Sequence, residues 1–232
     1  MYKNLEILNK ITHKNKSVKE VKNFFYAKNL TSAPITSAEF FESCKNYPIF
    51  FAKDKDNNWF SSVILGYKEN INLFVDEKGN WQKSHYIPAF VRKYPFVFIK
   101  EENKDNLFLA LDKEYLSDEK NDEIRKLFDD NGENTNILNK VVTFLNQFHL
   151  DSMATKEFIK QLDEWEILEE RVVTINDKKE QSNIISGLYV INEEKLKNLS
   201  KKKKNEINDK NAIPLITAHL ISLSNIQKLT GK

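Results

Sequence analysis

The side chains of this 232-residue chain best suited to nucleophilic, acid–base or metal chemistry are four histidines and one cysteine. His13, His85, His149 and His219 stand far apart, with neither the HxH nor the HxxxH spacing that brings two imidazoles onto one face, so no local zinc site is encoded. Cys44 has no CxxC partner, and Phe41-Glu-Ser-Cys44-Lys-Asn lacks the neighbourhood of a thiol enzyme; it reads as a small, partly buried apolar residue. A GxSxG elbow is absent, and Gly66, Gly79, Gly132, Gly187 and Gly231 are too dispersed for a phosphate-cradling loop. Asp54-Lys-Asp56-Asn-Asn58 imitates the start of a calcium loop, but Trp59 stands where glycine is required; both it and Asp129-Asp-Asn-Gly-Glu133 read as polar turns. One metal reading remains, assembled from distant positions: His85, His219, Asp76 and Asp112, in an enzyme acting on a peptide or small molecule. For His219 itself the simpler expectation is a hydrogen-bonded histidine on a buried helix. A non-catalytic role without cofactors is the favoured expectation.

Composition narrows the partners. The 36 basic and 34 acidic residues leave a net charge of +2, so no global field draws the chain onto nucleic acid. Only Arg92, Arg125 and Arg171 are arginines, against 33 lysines and 27 asparagines, a bias that A/T-rich codons explain. The arginines therefore carry more information than the lysines. A transcriptional regulator is disfavoured by the same scarcity of arginines for base readout and by the absence of a helix-turn-helix pattern. The Lys201 to Lys204 run is flanked by Glu193, Glu194, Glu206 and Asp209 and reads as a solvated connector or helix face. A single cysteine excludes a disulfide-stapled scaffold. No signal-peptide pattern is visible, and the apolar passages Tyr47 to Ala52, Tyr94 to Ile99 and Ile213 to Leu223 are too short to span a bilayer. A soluble, cytoplasmic protein without a membrane span is expected, its oligomeric state open.

The elements that must position these residues change character along the chain. A capping box is expected at Ser17-Val-Lys-Glu20, and a second at Thr36-Ser-Ala-Glu39 opening a short helix through Phe40, Phe41 and Cys44. Short strands are expected at Ile49 to Ala52, Trp59 to Tyr67, Asn72 to Asp76, Tyr94 to Lys100 and Leu107 to Leu111. The turns between them, at Asp54 to Asn58, Glu77 to Asn80 and Glu101 to Asp105, leave no room for crossover helices. From about residue 119 the period becomes helical. Ile137, Leu138, Val141, Val142, Leu145 and Phe148 define one amphipathic helix, and Phe158, Ile159, Leu162 and Trp165 a second. Val172 to Ile175 and Ile184 to Ile191 read as a further β-hairpin. Pro214 suits the first turn of a terminal helix running to about Leu229 and packed against the sheet. The fold class is α+β, an antiparallel sheet in the first half with helices packed against it in the second. It would form a single domain over 1–232, or two tightly packed lobes divided near 115/116, without a visible internal repeat.

The passage His85-Tyr-Ile-Pro-Ala-Phe-Val-Arg-Lys-Tyr-Pro-Phe96 is the densest in specific features. Two prolines stiffen an aromatic segment that feeds an apolar strand, and Arg92 can bind a carboxylate or phosphate bidentately. Tyr86, Phe90, Arg92 and Tyr94, with His219, are the candidate wall of a ligand or peptide groove.

Tyr86 to Phe96 resembles the signature of the SapC family, proteins associated with bacterial surface-layer gene clusters. Similar passages follow the same order: Ala38-Glu-Phe40, Tyr47-Pro-Ile-Phe-Phe51, Asn72 to Trp81, Leu127 to Glu133, Gly187 to Glu194 and His219 to Asn225. The resemblance implies an accessory role in surface-layer biogenesis or expression, with a surface-layer protein or its secretion or expression machinery as partner. It transfers no catalytic mechanism and no cofactor.

Overall fold

The computed structural model describes residues 1–100, 106–118, 124–176 and 182–229. Its strands are β1 (Leu5–Ile7), β2 (Ser17–Lys19), β3 (Ser32–Ile35), β4 (Ile49–Lys53), β5 (Trp59–Ile64), β6 (Phe96–Lys100), β7 (Leu107–Asp112), β8 (Leu116–Ser117), β9 (Ile124–Lys126), β10 (Leu168–Asn176) and β11 (Ser182–Ile191). They form three antiparallel sheets, with orders β1-β7-β6, β8-β2-β9 and β10-β11-β4-β5-β3. The fold is α+β, as the periodicities indicate. The largest sheet nevertheless draws on both halves of the chain, because Tyr189 on β11 pairs with Phe51 on β4. Being central, β4 and β5 are buried on both faces. The hydroxyls of Ser61 and Ser62 donate to the carbonyls of Ile35 and Ala33 on β3, at 2.7 and 3.1 Å, which lets two polar residues sit in that interior without an unpaired group.

The helices are α1 (Phe40–Ser43), α2 (Ala89–Arg92), α3 (Asn136–Glu164), α4 (Glu193–Lys197), α5 (Lys201–Asp209), α6 (Ile213–Ser222) and α7 (Ile226–Leu229). The two helices expected between Ile137 and Trp165 are one 29-residue element, α3. No glycine or proline interrupts His149 to Glu157, so nothing stops propagation there. The apolar stripe pauses because α3 leaves one core and enters another. Leu138 and Leu145 join Val18, Phe96, Leu111, Leu127 and Phe128 in the smaller core, whereas Phe158, Ile159 and Leu162 join the larger core built on the five-stranded sheet.

Other departures from the sequence reading have physical causes. Ser17 to Lys19 pairs on both sides as β2, so ladder bonds displace the capping box expected there. Asn72 to Asp76 contributes only the Val75–Trp81 bridge; its N–H groups go to scattered carbonyls, Asn72 to Lys28 and Leu73 to Leu65, both at 2.9 Å, while Asn72 Nδ2 donates to Ala27 O at 3.0 Å. The terminal helix gives way to a 3-10 turn at Leu223–Asn225, where buried Asn225 donates to the carbonyls of Cys44 and Tyr47. Glu101 to Asp105 lies outside the described residues, as does most of the turn between β10 and β11.

Among the described residues one turn geometry occurs three times, at Asp54–Asn58, Asp76–Asn80 and Asp129–Glu133. In each, the aspartate Oδ1 accepts the N–H groups two and four residues on, and the fourth residue (Asn57, Gly79, Gly132) has positive φ. Each closes on a bridge one residue outside the turn: Lys53–Trp59, Val75–Trp81 and Phe128–Asn134. The calcium-like spacing is thus the spacing of an Asx-anchored hairpin turn. These hydrogen bonds favour the ionised form, holding the Asp54 and Asp76 carboxyls below their usual range.

Helix α6 lies against the large sheet through His219. The imidazole is fully buried, stacked on Phe51 with ring centroids 4.6 Å apart, and its Nε2 accepts the Ile191 N–H at 3.1 Å. Nδ1 makes no hydrogen bond. Burial lowers its pKa from 6.5 to about 3, so the folded chain holds it neutral while the unfolded chain would protonate it near 6.5. Its contribution to stability is complete above pH 6.5 and declines as pH falls toward 3, by about 2 kcal/mol at pH 5. Urea denaturation at pH 7.5 and 5 should show this loss, and His219→Gln should flatten the slope over that interval. An equal slope in the variant would refute the assignment.

Candidate functional site

The Thr36–Glu39 capping box forms as the sequence indicates: Glu39 Oε2 accepts the Thr36 N–H and hydroxyl at 2.8 and 3.1 Å. The same carboxylate has a second role. Oε1 accepts the Ala89 N–H at 2.7 Å and the Tyr86 hydroxyl at 3.0 Å, so a buried side chain ahead of α1 holds the start of α2. Tyr86 is itself the next link, since its hydroxyl accepts from Arg92 Nη2 at 3.0 Å. Burial, with Glu39 beside it, pushes the Tyr86 phenol up to about 12, which keeps it a donor to Glu39. Arg92 Nε also donates to Ile87 O at 3.0 Å, and the guanidinium lies over the rings of Tyr86 and Phe144, 5.6 and 5.3 Å from their centroids. Thr155 on α3 completes the frame by accepting the Ser37 N–H at 2.7 Å. The arginine is an exposed residue whose guanidinium is nevertheless held at Nε and Nη2.

Beside it runs a groove of about 350 Å³ between α3 and the β2 and α2 regions. Val18, Val21, Phe96, Ile137, Val141 and Phe144 supply its apolar surface. Lys19, Arg92, Lys93, Arg125 and Lys140 supply the charge, against the single carboxylate of Glu20. Glu20 is paired with Arg125 at 2.8 Å. Two of the three arginines therefore meet in one groove although 33 residues separate them in sequence. The third, Arg171, is paired with Glu169 at 3.0 Å and borders a larger cavity of about 660 Å³ between the β10–β11 hairpin and α6, where Glu193, Glu194 and Lys197 also lie.

The sequence candidates divide between places. Arg92 and Tyr94 line the groove, Tyr86 braces Arg92, and Phe90 lies under the ammonium of Lys93 at 4.5 Å. Tyr94 faces inward: its ring stacks on Tyr26 at 4.0 Å and its hydroxyl donates to Asp112 at 3.1 Å. His219 is not a groove residue, being enclosed between α6 and the sheet. The four residues of the metal reading are likewise apart. Asp76 is bound up in its turn, and Asp112 accepts the Lys3 N–H at 2.9 Å as well as Tyr94. His85 lies against the rings of Tyr47 and Phe74. Among the described residues no three His, Cys, Asp or Glu side chains are grouped to hold a metal. Cys44 is a free thiol whose pKa burial raises. Sequence reasoning missed Lys93, Lys140 and Phe144 as groove residues. For Arg125 the signal existed in its retention within a lysine-rich chain.

Fold and groove together define an α+β protein with a positively charged, apolar-floored groove on its smaller core. The chain belongs to the SapC family, whose family model matches residues 8–229. No curated protein and no solved structure matches it. Among the described residues, no helix is long and apolar enough to cross a membrane.

Because four hydrogen bonds converge on Glu39, Glu39→Gln should destabilise the fold by about 2–4 kcal/mol, since an amide sets its own N–H groups against buried donors. The check is the urea midpoint at constant m-value; a shift below about 0.5 kcal/mol would show that the network is dispensable.

Proposed function

We propose that this chain is a non-catalytic accessory protein of bacterial surface-layer biogenesis, acting in the cytoplasm by binding a protein partner through the groove beside Arg92. The observation that carries the reading is the meeting of Arg92 and Arg125 with Lys19, Lys93 and Lys140 around an apolar floor with one carboxylate. Such a surface complements a segment carrying acidic side chains next to apolar ones: the charges steer encounter and set register, and the floor contributes the desolvation that holds the complex. Pre-organisation of Arg92 by Tyr86 and Glu39 lowers the entropy cost of docking. The surface-layer link is supported by family membership and by the ordered passages from Ala38 to Asn225. The partner would be a surface-layer protein before export, or a component of its secretion or expression machinery. An enzymatic reading has less support, because the histidines and carboxylates proposed for it do not converge.

The test is a comparative pull-down from the native cell, with wild-type chain and Arg125→Glu/Lys140→Glu as baits and bound proteins identified by mass spectrometry. Both substituted positions are exposed, so the variant should keep its melting temperature within a few degrees. A partner retained by the wild type, lost by the variant and released from the wild type by about 0.5 M salt is the expected result. Identical recovery by both baits, or no protein above background with either, would defeat the proposal.

A further inference from the structure

Lys93 is placed unlike a surface lysine. Its backbone caps α2, with its N–H donating to Ala89 O at 3.0 Å, between two anchored neighbours: Arg92 on Tyr86 and Ile87, and Tyr94 on Tyr26 and Asp112. The half-buried side chain carries Nζ to 4.5 Å from the Phe90 ring centroid and 5.2 Å from that of Phe148. Among the described residues its ammonium has no hydrogen-bond acceptor and no ion-pair partner. The residue lines two spaces at once, the cationic groove and a smaller cavity of about 120 Å³ formed with Val97, Phe98, Leu145, Phe148, His149 and Ser152. The charged groups of the groove around it are Lys19, Glu20, Arg92, Arg125 and Lys140; His149 is the titratable group of the smaller cavity. The groove's carboxylate, Glu20, is already paired with Arg125.

An amine in such a place is desolvated without being neutralised by an anion among the described residues, the condition that turns lysine into a nucleophile. Burial lowers its pKa from 10.5 to about 8. At pH 7.5 about a quarter of such a group is the free amine, against about 0.1% for an ordinary lysine.

We propose that Lys93 is a covalent carbonyl-capture site, its ε-amine condensing with the aldehyde of a small anionic molecule whose negative group is held among Arg92, Arg125 and Lys140. The Nζ lone pair adds to the carbonyl carbon and the π pair moves to oxygen. Proton transfer from nitrogen to oxygen gives the carbinolamine, which loses hydroxide with a proton as one molecule of water to leave the imine. No oxidant or reductant takes part. Uptake of one proton from solvent then gives the protonated imine, whose positive charge lies over the two phenylalanine rings.

The test uses the full chain at pH 7.5 with an equimolar anionic aldehyde, pyridoxal 5′-phosphate in one arm and the much smaller glyoxylate in another, followed by borohydride trapping and peptide mass spectrometry. Lys93 should carry at least about tenfold more reduced adduct than any other of the 33 lysines with at least one probe. Lys93→Gln should remove that site while far-UV circular dichroism stays unchanged. Pyridoxal, which lacks the phosphate, should label it several-fold more slowly than pyridoxal 5′-phosphate if that is the successful probe, and Arg125→Gln/Lys140→Gln should erase the difference. Adducts spread evenly over exposed lysines with both anionic aldehydes, or an unmodified Lys93 in folded protein, would overturn the proposal. The outcome is separable from the partner reading: a pull-down that fails says nothing against labelling at Lys93, and unlabelled Lys93 leaves the pull-down result intact.

Discussion

The carboxylate of Glu39 is the interaction on which the Pro/aromatic passage and the placement of Arg92 depend. A buried charge is tolerated only where hydrogen bonds replace its hydration, and here four donors do so: the backbone and hydroxyl of Thr36, the Ala89 N–H and the Tyr86 hydroxyl. Those donors come from two segments about 50 residues apart, so satisfying one carboxylate fixes the Pro/aromatic passage against the turn before α1. Arg92 inherits its position from that arrangement through Tyr86, and Lys93 and Tyr94 follow along the chain. The position of Arg92 at the groove is thus set from beneath by an anion that does not itself reach the groove.

The second constraint is α3. Running continuously from Asn136 to Glu164, it belongs to the smaller core at one end and the larger at the other, and Thr155 near its middle is tied to Ser37. A rigid rod of about 43 Å shared by two cores relates the five-stranded sheet to the groove, which lies along its N-terminal half. The smaller core itself takes Val18, Phe96 and Leu111 from the first half of the chain and Leu127, Phe128, Leu138 and Leu145 from beyond it. His219 and the Glu39 network accordingly belong to one large core, while the groove's apolar floor belongs largely to the other.

The thrice-used aspartate turn shows how a chain with few glycines and many asparagines makes hairpins. The aspartate supplies the acceptor that the turn backbone lacks, and the fourth position takes the positive φ that glycine adopts freely and asparagine tolerates. With its carboxylate already engaged by two N–H groups, each turn keeps metal-like residue types for a structural task.

Sequence alone determined the features that depend on near neighbours: the α+β class, the Thr36–Glu39 capping box, the start of the terminal helix at Pro214, the aspartate turns and the absence of standard catalytic motifs. These rest on spacings of two to four residues, where periodicity and capping chemistry act directly. Sequence also singled out Arg92, Arg125 and Arg171 alike, because all three persist in a chain that favours lysine. Only tertiary structure decided that Arg92 and Arg125 are the two that line the groove, that His219 lies apart from them in the large core, that α3 is one helix, and that Ser17 to Lys19 is a strand. Each of these outcomes depends on contacts between distant segments, and such contacts leave no periodic trace in the residues that make them. Lys93 is the clearest case. In sequence it is one lysine among 33, and only the two phenylalanine rings and the lack of a counter-ion among the described residues set it apart.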